Sequence, residues 1–69
     1  MSMEPNEIFE LIVKADERLK YAREDQAELR KGQAEAFLRE ALAAAREIGN
    51  TQLEEQARTR LRDLGVADA

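Results

Sequence analysis

Apolar residues recur along the chain at intervals of three and four, interrupted by short polar stretches, and this spacing predicts helices and no strands. Ile8, Ile12, Ala15, Leu19 and Ala22 form one such series and fall on a single helical stripe. Pro5, the only proline, stands just ahead of it and suits the first helical position, where its missing N–H costs nothing. Glu10 with Lys14 and Asp16 with Lys20 have the spacing of favourable i,i+4 ion pairs on this helix. A second series, Ala34, Leu38, Ala41, Ala45 and Ile48, carries Phe37 and Leu42 on its shoulders, and a third comprises Leu53, Ala57, Leu61 and Leu64.

The second break is strongly marked. Gly49 readily takes the left-handed conformation past a helix C-terminus, and Thr51 with Glu54 three residues on reads as a capping box opening the third helix. Gly65 ends that helix, and Val66 to Ala69 are expected to fray. For the first break two sites compete: Gly32, flanked by polar residues, and Asp25, which with Glu28 resembles an N-terminal cap. A first helix reaching Lys31 would leave a second of about 16 residues, roughly 24 Å long, with the apolar Ile8 to Val13 segment overhanging it. A break near Glu24 and Asp25 avoids that overhang and the repulsion of Glu24, Asp25 and Glu28 along one helix. It places Gly32 inside helix 2, at a cost near 1 kcal/mol relative to alanine, and leaves Leu29 off the stripe. The expectation is one all-α domain over residues 1–69, a three-helix bundle with an antiparallel hairpin closed by a third helix. Its helices span about 5–23, about 25–48 and about 51–64 on these start and stop signals.

At 69 residues the chain can build one core, burying roughly 60% of the surface its unfolded form exposes. Cysteine and histidine are both absent, which removes disulfides, thiolate ligands and the commonest general base and metal ligand. No apolar run approaches the roughly 18 residues that span a bilayer, and the opening Met-Ser-Met-Glu-Pro-Asn-Glu lacks the segments of a signal peptide. A cytoplasmic protein without a membrane partner is expected. Fifteen acidic and eleven basic residues give a net charge of -4, which opposes attraction to phosphate backbones, so no nucleic-acid partner is expected. Charge signs alternate among periodic apolar positions, the pattern of solvated helix faces.

Residues 37–50, Phe-Leu-Arg-Glu-Ala-Leu-Ala-Ala-Ala-Arg-Glu-Ile-Gly-Asn, resemble the second helix and turn of a tetratricopeptide repeat of bacterial style. Ala34, Leu38 and Ala41 match that family's small-large-small positions, and Leu64-Gly65 is similar to the leucine-glycine pair of a following first helix. The resemblance covers about half the chain. It implies a helical hairpin with a protein-binding role. The first helix departs from it, lacking the aromatic and leucine-glycine pattern at the proper offset, and stacked repeats generally need about three units to form a concave groove.

Candidates for chemistry are few. Asp16 and Glu17, Glu24 and Asp25, and Glu54 and Glu55 are adjacent pairs whose side chains diverge by about 100° on a helix, with no metal-binding loop or phosphate-cradling glycine motif beside them. Ser2 has no histidine to activate it. Arg58 and Arg62 share a face, but Glu54 one turn earlier neutralises part of it. Tyr21 is the only tyrosine, expected to rim the core, and no aromatic interleaving suggests base stacking. The chain is therefore expected not to be an enzyme and to need no cofactor or metal.

The surplus of large apolar residues on helix 1 remains. With Ile8 at zero, Phe9 and Val13 fall near 100° and about 140°, on the far shoulder of the stripe. Two readings stand: a wide stripe touching two neighbouring helices, or an exposed apolar patch that meets a partner or a second copy. The functional expectation is a small interaction module or regulatory adaptor that binds an unidentified protein partner through a helix face. The alternatives are a structural homo-oligomer, a homodimer pairing this shoulder by two-fold symmetry, and a nucleic-acid-associated regulator.

Overall fold

Pro5 opens the first helix of the computed structural model, which describes residues 2–66. Helix α1 spans Pro5–Lys20, a 3₁₀ turn covers Glu24–Gln26, helix α2 spans Ala27–Ile48 and helix α3 spans Thr51–Asp63. The fold is an all-α three-helix bundle, without strands among the described residues. Helix α1 packs extensively on α2, α2 on α3, and α1 meets α3 only lightly. The short Gly49–Asn50 turn makes α2 and α3 antiparallel.

Both ends of α1 are set locally. Glu4 precedes Pro5 with extended backbone, and its N–H donates to Glu7 Oε1 at 2.8 Å, satisfying a main-chain group that the helix leaves free. At the other end α1 stops at Lys20, short of the expected 23. Tyr21 still donates to Glu17 O at 3.2 Å, but Arg23 is extended and leads into the 3₁₀ turn. Asp25 lies inside that turn and does not cap a helix, contrary to expectation, and α2 begins at Ala27, two residues later than expected. Glu24, Asp25 and Glu28 instead gather at the N-terminus of α2, where carboxylates are favoured by the helix dipole. Gly32 lies within α2.

Gly49 and Gly65 end α2 and α3 by one device. Each has positive φ, 72° and 88°, which costs a residue with a Cβ steric strain. After α2, Gly49 donates to Arg46 O at 3.2 Å and Asn50 to Ala45 O at 2.9 Å. After α3, Gly65 donates to Arg62 O at 2.9 Å and Val66 to Leu61 O at 3.0 Å, the paired bonds of a Schellman motif. Val66, where fraying was expected to begin, is placed by that second bond. Its side chain packs against the core that Leu61 anchors; the remainder of that expectation, residues 67–69, lies outside the described residues.

The cap of α3 also differs from expectation. Asn50, not Thr51, is the capping residue: its Oδ1 accepts from the Leu53 N–H at 3.0 Å, and Thr51 is already helical. Glu54 is thereby free to take other partners. Asn50→Ala is expected to cost about 1 kcal/mol in urea denaturation, against a change within about ±0.5 kcal/mol for Thr51→Ala. The reverse order would restore Thr51 as the cap.

Among the described residues thirteen form the buried core: Ile8, Leu11, Ile12 and Ala15 from α1; Ala34, Leu38, Ala41, Leu42, Ala44 and Ala45 from α2; Leu53, Ala57 and Leu61 from α3. The alanines of α2 keep that helix slim where it meets both neighbours, and the larger residues of α1 and α3 fill the space. Leu19 and Ala22, expected on the α1 stripe, are not in the core. Asp16 is level with Arg60 of α3, so Leu19 lies about a turn farther on, where α3 is ending. No helix among the described residues is long and apolar enough to cross a membrane.

Candidate functional site

The two flanks of α1 present different chemistry. On one, Phe9 and Val13 stand a turn apart and are 49% and 37% exposed. Asp16, three residues beyond Val13 on the same side, shows where this flank points: both its carboxylate oxygens accept from Arg60 Nε of α3, at 2.9 and 3.1 Å. The shoulder therefore borders α3, with the Asp16–Arg60 pair as its polar rim. Arg60 is further steadied by donating to Gln56 O at 3.3 Å. The sequence pairs Asp16 with Lys20; the structure takes it across to α3 instead.

The opposite flank forms a cleft with α2, ≈ 340 Å³ in volume, lined by Lys14, Glu17 and Arg18 from α1, by Tyr21 just past its end, and by Arg30 and Phe37 from α2. The Arg18 guanidinium lies 5.9 Å from the centre of the Phe37 ring, within the range of a cation–π contact. Tyr21 is mostly exposed and is met by Lys20 Nζ at 5.4 Å from its ring centre. The expected Glu10–Lys14 pair does not form, and Lys14, Arg18 and Arg30 have no ion pair among the described residues. Gln33, on the α2 face between Arg30 and Phe37, has its Oε1 shielded with no hydrogen-bond donor among the described residues.

Elsewhere several charges are matched. Glu54 Oε2 accepts from Arg58 at 2.7 Å, the neighbour expected from the sequence, and from Arg46 of α2 at 3.0 Å; Glu55 meets Arg58 at 2.7 Å and Glu35 meets Arg39 at 2.8 Å. Ser2 Oγ donates to Glu47 Oε1 at 3.1 Å. Among the described residues no three acidic side chains converge where they could hold a metal ion. A larger hollow, ≈ 580 Å³, runs along α3 from Thr51 to Arg60, but one helix alone lines it and Arg60 there is committed to Asp16. We regard it as open surface, since convergence of groups from several elements is what makes a site.

Sequence reasoning singled out Phe9 and Val13 and missed the cleft. Its signal was present in two halves: Lys14, Arg18 and Tyr21 at steps of four and three, and Arg30, Gln33 and Phe37 at steps of three and four. Only the antiparallel register of α1 and α2 joins them. Comparison with protein-family models, with curated proteins and with solved structures gave no match.

Proposed function

We propose that this chain is a non-catalytic protein-interaction module, a small cytoplasmic adaptor that presents the Phe9–Val13 shoulder of α1 to a protein partner. The observation that carries this reading is the exposure of two large apolar side chains a turn apart, beside the Asp16–Arg60 ion pair. An apolar centre with a polar rim is the usual anatomy of an interface. The resemblance of residues 37–50 to a tetratricopeptide-repeat helix points the same way, and the absence of cysteine and histidine favours binding over catalysis.

The double variant Phe9→Ser, Val13→Ser tests it. Helicity and melting are expected to stay close to wild type, because the substitution leaves the buried stripe of Ile8, Leu11, Ile12 and Ala15 untouched. Partner capture is expected to fall. Sedimentation velocity of the wild-type chain tells a partner of another sequence from a second copy: a dimer dissolved by the double variant would make this shoulder a self-association surface. Full retention of partner capture by a folded double variant would refute the reading.

A further inference from the structure

We propose that the α1–α2 cleft is a second docking site, for a short acidic peptide segment of a partner protein. Lys14, Arg18 and Arg30 line it from two helices, against the single carboxylate of Glu17. What sets these three apart is convergence: Arg39, Arg46, Arg58 and Arg60 are committed to carboxylates at 2.7–3.0 Å, whereas Lys14, Arg18 and Arg30 meet around one cleft in a chain of net charge -4. The three cleft cations lack such carboxylates, and a ligand bearing them would supply the charge-assisted hydrogen bonds that Arg39, Arg46, Arg58 and Arg60 already make. Arg18 is held against the Phe37 ring, which restricts its side chain before any ligand arrives.

The occupant follows from two further features. Gln33 carries an acceptor oxygen without a donor on the same α2 face as Arg30 and Phe37. A peptide brings both N–H donors and carboxylates, whereas a phosphodiester backbone brings acceptors only. Long polyanions would also meet the negative remainder of the chain, while a short peptide samples chiefly the field of the cleft, since charges are screened over about 8 Å at physiological salt. The inference does not depend on the Phe9–Val13 reading, which concerns the other flank of α1.

Tyr21 lines the cleft and is the only tyrosine in a chain without tryptophan, so tyrosine emission reports directly on occupancy. The full chain would be titrated with an alternating Asp-Glu hexapeptide, which has no aromatic residue, and in parallel with its Asn-Gln counterpart, inorganic phosphate and a 12-nucleotide single strand. Saturable binding of the acidic peptide alone is expected, weakening as salt rises. Arg18→Gln with Arg30→Gln should weaken it by roughly tenfold or more, given the strength of charge-assisted contacts. Arg39→Gln with Arg58→Gln, an equal loss of charge outside the cleft, should leave it within about twofold, since screening attenuates charges beyond a Debye length. Amide and side-chain shifts of wild-type protein at Lys14, Arg18, Tyr21, Arg30 and Phe37 give the same answer should the cleft variant fail to fold. Absence of saturation at millimolar peptide, equal losses in the two double variants, shifts located elsewhere, or tighter binding of phosphate or the oligonucleotide would each overturn the assignment.

Discussion

Leu38→Ala and Leu61→Ala are each expected to lower the free energy of unfolding by about 2–5 kcal/mol. Both side chains are fully shielded from solvent: Leu38 lies near the middle of α2, and Leu61 sits on α3 beside the Gly65 stop. Truncation removes apolar surface from the core and leaves a cavity that rigid helices refill only in part. The surroundings sharpen the effect, because Ala34, Ala41, Ala45 and Ala57 have no spare side chain with which to close a gap. A chain of this length is stable by only roughly 3–10 kcal/mol, so either variant stands to lose much of its folded population. Circular dichroism at the helical band, followed through a thermal melt, reads this directly. Wild-type melts for both variants would mean that these helix faces are wrongly paired.

The opposite error in volume should also be felt. Ala41→Leu is expected to destabilise by about 1–3 kcal/mol, although leucine is more hydrophobic and nearly as good a helix former. Ala41 is fully buried on the central helix, the one that packs extensively against both others, so a larger side chain there must push α1 or α3 away. Ala43→Leu is the matched control: Ala43 lies two residues on and faces solvent, and its change should stay within about ±0.5 kcal/mol. Urea denaturation midpoints of the pair measure the difference. Equal midpoints would show that the α2 seam is not close-packed.

Much of the architecture was legible because its signals are local. Pro5, Gly49 and Gly65 act through their own backbone preferences, and the stripes of Ile8-Ile12-Ala15, Ala34-Leu38-Ala41-Ala45 and Leu53-Ala57-Leu61 follow from the turn of one helix. The candidate surface was legible in the same limited way: periodicity placed Phe9 and Val13 on a shoulder but left open whether a neighbour covers it. Leu29 was likewise placed off the stripe, and it is 62% exposed.

The errors share a different character. Thr51 and Asn50 are both competent capping residues, and the conformation of the α2–α3 turn decides which of them precedes the helix with extended backbone. Asp16 can meet Lys20 on its own helix or Arg60 on another, and the placement of α3 alongside α1 decides it. Leu19 has the right angle for the core but lies where α3 is ending, and Arg18 and Arg30 face one cleft only through the antiparallel register of α1 and α2. The sequence alone determined how many helices form, near which residues the chain breaks between them, and which angle around each axis is apolar, because backbone preference and the 3.6-residue turn act within one segment. Which flank is covered, which charge finds which partner and which cations converge were decided only by tertiary structure, because they depend on the relative lengths and axial offsets of separate helices, which no single segment encodes.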